Sequence, residues 1–233
     1  MGIPENVYRI MDAVDAAAAA SGRQAGDIAL VAATKMNSAS RVQEAVAAGI
    51  KHAGENRVQE LLEKKAQGAY EGADLHFIGH LQTNKVRQIV GQCRLIQSVD
   101  SKALLEQISK RAAMAGICQA VLLEVNISRE AAKSGVMAEE VDELLAYAAT
   151  LEAISVEGLM TIPRKCEKKA ETRKFFNEMY NLFVDTKAKK YDNVSMQVLS
   201  MGMSSDFDEA ILAGSNMIRV GSAIFGERDY SRR

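Results

Sequence analysis

Short apolar runs alternate with amphipathic segments along most of the 233-residue chain. Each run is rich in Val, Ile or Leu and has the length of a buried strand. Each is followed by a stretch whose apolar residues recur every three or four positions, which is typical of a helix packed on a core. Eight runs follow this order, at residues 28–33, 51–54, 75–79, 94–99, 119–127, 156–162, 195–200 and 216–221. Residues 51–54 form a weak run, which we assign as a strand from its place in the series.

The alternation of strands and helices predicts the fold. Strands separated by helices form a parallel sheet with both faces covered, and eight such units close into a barrel. Residues 5–21 predict a further helix before the first strand, and no Gly/Ser-rich linker divides the chain. Capping boxes are expected for Ser40 with Gln43 and for Asp206 with Glu209. We therefore predict an α/β protein, a single (β/α)8 TIM barrel over residues 1–233 with an extra N-terminal helix.

Composition and charge narrow the class of protein. The chain is 48% apolar and 25% charged, and its net charge of −1 gives no sign of a nucleic-acid partner. No apolar stretch approaches the ~20 residues that cross a bilayer, and no targeting segment is recognised. The three cysteines lack metal-ligand or redox spacing, so we expect reduced thiols and no metal. These features favour a cytoplasmic protein with neither nucleic acid nor membrane as partner. We expect a monomer or weak dimer, and the sequence does not distinguish the two.

The first predicted strand is followed by a candidate nucleophile, Lys35. In barrels of this kind the site lies on the loops at the carboxyl ends of the strands. A lysine there faces a partly desolvated mouth, where desolvation favours the neutral amine that attacks a carbonyl. Spacing alone does not distinguish this role from that of a solvated surface lysine.

The last two strand ends predict a phosphate site. Barrels often bind phosphate on the loops after strands seven and eight. Gly221 permits close approach of backbone N–H groups, while Ser222 and Ser200 add hydroxyls. Arg219, inside the last strand, suits the ring nitrogen of a pyridine cofactor or a structural carboxylate. A lysine opposite a phosphate pocket fits pyridoxal 5'-phosphate (PLP), and it also fits a Schiff-base aldolase that acts on a sugar phosphate.

Several longer motifs carry a family resemblance. They are GENRVQE (54–60), HFIGHLQTNKVR (76–87), QSVDS (97–101), VNISRE (125–130), EGLMTIP (157–163), LSMGMSSDFDEAI (199–211) and IRVGSAIFGERDY (218–230). With these motifs the sequence resembles the pyridoxal phosphate homeostasis protein family, single-domain relatives of the N-terminal barrel of alanine racemase. The resemblance runs from about residue 28 to residue 230.

The resemblance implies a set of cofactor-binding residues and no catalytic residue or metal. Lys35 would hold PLP covalently as a Schiff base, and Arg219 would lie near the pyridine nitrogen. The full set implied is Lys35, Asn56, Met160, Ser200, Met203, Arg219, Gly221 and Ser222. The chain departs from the family where Thr-x-Pro often follows the lysine, because Met36, Asn37 and Ser38 stand there. We expect this difference to change the shape of the first loop.

The resemblance also implies a binding protein more than an enzyme. Alanine racemases carry a second domain that supplies an acid/base tyrosine, and this chain ends soon after its eighth strand. We therefore expect a protein that holds PLP, takes part in intracellular PLP (vitamin B6) homeostasis, and indirectly affects the balance of amino and keto acids. PLP-dependent client enzymes are the expected partners besides PLP itself. A PLP-dependent amino-acid racemase and a Schiff-base aldolase remain the alternatives.

Overall fold

Eight parallel strands form a closed barrel in the computed structural model, which describes residues 2–226. Neighbouring strands follow the order of the chain, and the eighth pairs with the first, with Val31 opposite Arg219. This confirms the predicted barrel, including the weak second strand. Residues 227–230 of the last motif lie outside the described part of the chain. The strands are β1 (Ala29–Ala33), β2 (His52–Glu55), β3 (Asp74–Phe77), β4 (Leu95–Val99), β5 (Gln119–Glu124), β6 (Ile154–Met160), β7 (Val194–Ser200) and β8 (Met217–Val220).

Helices connect the strands and cover the barrel. The α-helices are α1 (Ile3–Ala20), α2 (Ala39–Ala47), α3 (Val58–Ala66), α4 (Val86–Ile89), α5 (Lys102–Met114), α6 (Val141–Ala148), α7 (Lys169–Lys187), α8 (Phe207–Leu212) and α9 (Ser222–Phe225). Three single 3-10 turns span Ala25–Asp27, Thr83–Lys85 and Ala138–Glu140. The extra N-terminal helix α1 begins with a proline in its first turn and packs against α2, α8 and α9. Its buried stripe includes Val7, Ile10 and Val14, at the spacing of one helical face.

The core has two layers, as the barrel architecture requires. The outer layer lies between strands and helices and contains large fully buried side chains such as Phe77, Phe176 and Leu105. A separate cluster joins residues of five different strands without any helical residue, so it fills the inside of the barrel. Its members are Val31, Leu95, Leu122, Met160 and Met217.

The two predicted helix caps differ from the structure. The capping box at Ser40 is wrong, because α2 begins at Ala39 and its N-cap is Ser38, whose hydroxyl accepts from the Arg41 N–H at 3.4 Å. Asp206 is the N-cap of α8, as expected, but its side chain makes no cap hydrogen bond. The carboxylate instead accepts from the Met203 N–H at 2.7 Å, since the loop after β7 turns back over it.

Candidate functional site

A cavity of about 380 Å³ opens at the carboxyl ends of the strands. Its lining comes from the last residues of β1 and β8 and from the segments that follow β1, β2, β3, β6, β7 and β8. The cavity therefore lies at the mouth of the barrel, where active sites of this fold are found. Six of the eight predicted site residues line it. They are Lys35, Asn56, Met203, Arg219, Gly221 and Ser222.

Lys35 is half-buried at the wall of this cavity, two residues beyond the end of β1. The chain turns sharply after it. The Asn37 N–H donates to the Thr34 carbonyl at 3.1 Å, and Met36 takes a left-handed φ of 61°. The segment that departs from the family pattern therefore forms a tight turn, which leads directly from the lysine into α2.

The loops after β7 and β8 meet through Ser204. The Ser204 hydroxyl accepts from the backbone N–H of Gly221 at 3.1 Å and from that of Ala223 at 3.4 Å. Both N–H groups belong to the start of α9, and Ser204 lines the cavity together with Ser205. Backbone N–H groups and hydroxyls of this kind are the donors that phosphate oxygens accept from. The arrangement forms a hydrogen-bonding corner of the cavity, which we call the Ser204 corner.

Arg219 brings a buried positive charge to the floor of the cavity. Only 4% of the residue is exposed, and it donates to the Ser200 hydroxyl at 2.5 Å and to the Thr161 carbonyl at 2.9 Å. Burial lowers the pKa of the guanidinium to about 10, while the nearby carboxyls of Glu124 and Asp206 oppose that shift. Arg219 therefore remains a cation at neutral pH.

Two predicted site residues lie one layer below the cavity. Ser200 is fully buried, and besides accepting from Arg219 it donates to Gln97 Oε1 at 2.7 Å. Met160 belongs to the apolar cluster inside the barrel. Neither residue is part of the cavity lining. The structure thus places Ser200 where it orients Arg219 and places Met160 in the core, and it does not bring either one to the cavity surface.

Asn56 follows β2 and presents an unsatisfied polar atom. Its Oδ1 is buried and has no hydrogen-bond partner within residues 2–226, although the residue lines the cavity. The backbone of Asn56 packs directly on Gly79, where a Cβ atom would lie 2.2 Å from the Asn56 carbonyl oxygen. Gly79 is held in turn by the Ser98 hydroxyl, which donates to its carbonyl at 2.5 Å. This close packing fixes Asn56 at the rim of the cavity.

Ser204 and Lys165 are among the lining residues that the sequence did not single out for the site. Ser204 lies in the LSMGMSSD motif, but the sequence does not indicate which of its serines faces the site. Lys165 is exposed at the cavity, although the basic run that contains it is typical of a solvated surface. Lys165 provides a second amine against which the assignment of Lys35 can be tested.

Neither a metal cluster nor a spanning helix is found in the described part of the chain. Within residues 2–226, no three His, Cys, Asp or Glu side chains are grouped so that they could hold a metal ion. Over the same residues, every helix is too short or too polar to cross a membrane.

Comparisons with known proteins give the family. A family model described as the N-terminal domain of alanine racemase matches residues 11–229. A relative from Aquifex aeolicus named pyridoxal phosphate homeostasis protein is 40% identical over 232 residues, which cover 99% of this chain and 100% of the relative.

Solved structures agree with this assignment. The crystal structure of an unknown protein from Bifidobacterium adolescentis superposes with a TM-score of 0.90 at 35% identity, covering 96% of this chain and 94% of that one. PipY from Synechococcus elongatus, whose structure is described with PLP bound, has a TM-score of 0.82 at 30% identity, covering 96% of this chain and 100% of PipY. The chain belongs to the pyridoxal phosphate homeostasis protein family, and its barrel is of the alanine racemase N-terminal type.

Proposed function

We propose that this protein binds PLP in the cavity at the mouth of the barrel, holds it covalently on Lys35, and takes part in PLP homeostasis. The observation that carries the proposal is the convergence of Lys35, Arg219 and the Ser204 corner on one cavity of about 380 Å³. Lys35 suits the aldehyde of PLP, Arg219 suits its pyridine nitrogen, and the Ser204 corner suits its phosphate. The PLP-bound structure of PipY, a relative with 30% identity, supports the same ligand.

The lysine supplies the covalent bond. The lone pair of a neutral Lys35 Nζ attacks the aldehyde carbon, the nitrogen loses its protons, and the carbonyl oxygen leaves as water when the C=N bond forms. The reverse reaction, addition of water, releases the aldehyde and regenerates the amine. A bond of this kind holds a reactive aldehyde and still allows its transfer to other enzymes.

The Ser204 corner is the proposed phosphate site. Gly221 and Ser222 lie at the start of α9, where the Gly221 and Ala223 N–H groups already donate to the Ser204 hydroxyl. A phosphate oxygen placed there can accept from the hydroxyls of Ser204 and Ser222, and it accepts from the Gly221 or Ala223 N–H where it replaces Ser204 as the acceptor. Ser200 contributes indirectly in this arrangement, because it orients Arg219 from below.

Arg219 is the proposed partner of the ring. A guanidinium donates hydrogen bonds and accepts none, so it pairs with an unprotonated pyridine nitrogen. An unprotonated ring is a weaker sink for negative charge than a pyridinium ring, which makes amino-acid chemistry slow. Met203 and Asn56 line the same cavity and are assigned to the faces and edge of the ring. These features favour storage and delivery of PLP, with PLP-dependent enzymes as recipients.

Reduction and peptide mapping test the covalent site. The purified protein is mixed with PLP, its yellow absorption band is recorded, and borohydride is added to make the imine permanent. We expect one phosphopyridoxyl adduct, on Lys35. Lys35→Ala abolishes the band and the adduct, whereas the control Lys165→Ala, which removes the second lysine of the cavity, retains both. An adduct on Lys165, or an unchanged band in Lys35→Ala, would contradict the proposal.

Incubation with amino acids tests the role in homeostasis. We expect the PLP-loaded protein to racemise L-alanine far more slowly than a typical enzyme, and to transfer PLP to an added PLP-dependent apoenzyme. Turnover of about 1 per second or faster would show an enzyme instead. A protein that stays colourless with PLP and forms an imine with a sugar phosphate would point to an aldolase.

A further inference from the structure

A buried ion pair lies directly behind the segment that carries Lys35. Glu55, the last residue of β2, is fully buried, and Lys64 on α3 is 7% exposed. Lys64 Nζ lies 2.5 Å from Glu55 Oε1, which also accepts from the Thr34 hydroxyl at 2.8 Å. Glu60, one turn before Lys64, lies 3.2 Å from the same ammonium. A buried ion pair of this kind often adds little net stability to a fold, because the free energy cost of desolvating the two charges offsets their attraction.

Lys64 and Glu60 together contact both peptide groups that flank Lys35. Lys64 Nζ donates to the carbonyl oxygen of Thr34 at 2.9 Å. The N–H of Met36 donates to Glu60 Oε2 at 2.8 Å. One peptide plane on each side of the Lys35 Cα is therefore held by a side chain of α3. Lys64 and Glu60 thereby hold the backbone on both sides of the Cα from which the Lys35 side chain leaves.

The turn after Lys35 needs this support. Met36 has a φ of 61°, in the left-handed region that an unbranched L-residue adopts only at a cost in free energy. Such a conformation persists where surrounding contacts hold it. The hydrogen bond from the Met36 N–H to Glu60 is a contact of that kind, and its loss allows the turn to relax.

We propose that Glu60 and Lys64 are positioning residues for the Lys35 amine. The inference rests on the proposed covalent binding of PLP at Lys35. Lys35 has a long flexible stem, and a fixed direction at its base restricts the amine to the region near the aldehyde. The pair acts on bond formation through the backbone of Lys35, and it is not part of the cavity lining.

Variants of Glu60 separate this role from general stability. Removal of Lys64 leaves Glu55 buried without its cation, which risks unfolding. Glu60 has 21% of its side chain exposed, and Glu60→Ala removes its contacts with the Met36 N–H and with Lys64 but leaves the Lys64–Glu55 pair in place. Glu60→Gln keeps an oxygen that accepts from the Met36 N–H but removes the charge. The control is Glu143→Ala, which breaks an exposed ion pair with Lys102 elsewhere on the barrel.

Two ligands separate positioning from binding. PLP forms the imine, while pyridoxine 5'-phosphate has the same ring and phosphate but no aldehyde. For each variant, the dissociation constants of both ligands and the rate of imine formation are measured, with circular dichroism as the check of folding. Lys64→Arg, which keeps the cation but changes its donor geometry, is measured in the same way as a second perturbation of the pair.

The two ligands are expected to respond differently. Glu60→Ala should slow imine formation and weaken PLP binding by about tenfold, the upper range for loss of one hydrogen bond, with pyridoxine 5'-phosphate changed less than about twofold. Glu60→Gln and Glu143→Ala should stay within about twofold of the wild type for both ligands. Equal weakening of both ligands, unchanged imine formation in Glu60→Ala, or equal losses in Glu60→Ala and Glu60→Gln would overturn the inference. If the wild type forms no imine, the proposed function fails instead.

Discussion

Replacement of Glu124 by Gln is expected to change how stability depends on pH. Glu124 is the last residue of β5 and is 7% exposed. Burial and, to a lesser extent, the nearby Asp100 raise the pKa of its carboxyl to about 7, although the Arg219 guanidinium partly opposes both effects. In the unfolded chain the same group has a pKa near 4.5. The folded protein therefore keeps a proton on Glu124 over a pH range in which the unfolded chain has lost it.

The sign and size follow from this difference. Between pH 4.5 and about 7 the folded state binds more protons at Glu124 than the unfolded state, so the free energy of unfolding falls as pH rises. A pKa raised from 4.5 to about 7 corresponds to about 3 kcal/mol, which is fully lost above the folded pKa. Glutamine is neutral throughout, so Glu124→Gln removes this loss.

His76 has the opposite effect in an overlapping range. It is 1% exposed inside the barrel, and burial lowers its pKa from 6.5 to about 3, with His52 and Arg94 adding to the shift. The unfolded chain takes up this proton as pH falls below 6.5, while the folded protein does not. Stability from His76 is thus lost on acidification, by about 2–3 kcal/mol from pH 6.5 to 4.5. In the wild type the two contributions approximately cancel over this range.

Urea unfolding from about pH 4.5 to about pH 8 measures both groups in wild type, Glu124→Gln and His76→Gln. For each variant, the difference from the wild type in the free energy of unfolding is followed as pH changes. Effects of the substitution that do not depend on pH add a constant to this difference, so they do not alter its change with pH. Relative to Glu124→Gln, the wild type should lose about 3 kcal/mol from pH 4.5 to pH 8. Relative to His76→Gln, it should gain about 2–3 kcal/mol from pH 4.5 to 6.5. A difference that varies by less than about 0.5 kcal/mol over either range would refute the shifted pKa of that residue.

Three further substitutions test the packing around the site. Gly79→Ala should lower PLP affinity, measured by titration, because its Cβ would lie 2.2 Å from the Asn56 carbonyl and displace that residue; affinity equal to wild type would contradict the predicted displacement. Ser200→Ala should lower the free energy of unfolding, measured in urea, by about 1–3 kcal/mol, because an N–H of the buried Arg219 loses its acceptor. A smaller loss would show that this N–H has another acceptor. Phe176→Ala should cost about 3–5 kcal/mol through the cavity that it leaves in the core, and a cost below that range shows that neighbouring side chains fill the space.

The arrangement of strands and the position of Lys35 could be predicted from the sequence. The order of apolar runs and helical stripes is a local pattern, and eight such units close in one way, so even residues 51–54 could be placed. They form β2 over His52–Glu55. Lys35 follows the first run and therefore had to lie at the mouth of the barrel.

The sequence did not show which side chains at the strand ends reach the cavity and which lie below it. Ser200 and Met160 both end strands, yet one lies beneath Arg219 and the other in the barrel interior. Successive side chains of a strand alternate between faces, and in a barrel the tilt and stagger of the strands decide which residue reaches the mouth. Those quantities depend on closure of the whole sheet.

The sequence by itself determined the repeating units, the barrel and the lysine at its mouth, because each depends on patterns within a few residues of one another. Only the tertiary structure placed Ser204 under the N–H groups of Gly221 and Ala223, and Lys64 against the carbonyl of Thr34. These partners are separated by between 17 and 30 positions along the chain. They meet because barrel closure brings the ends of neighbouring strands together. A pattern within a few residues of the sequence does not show which distant residues come into contact.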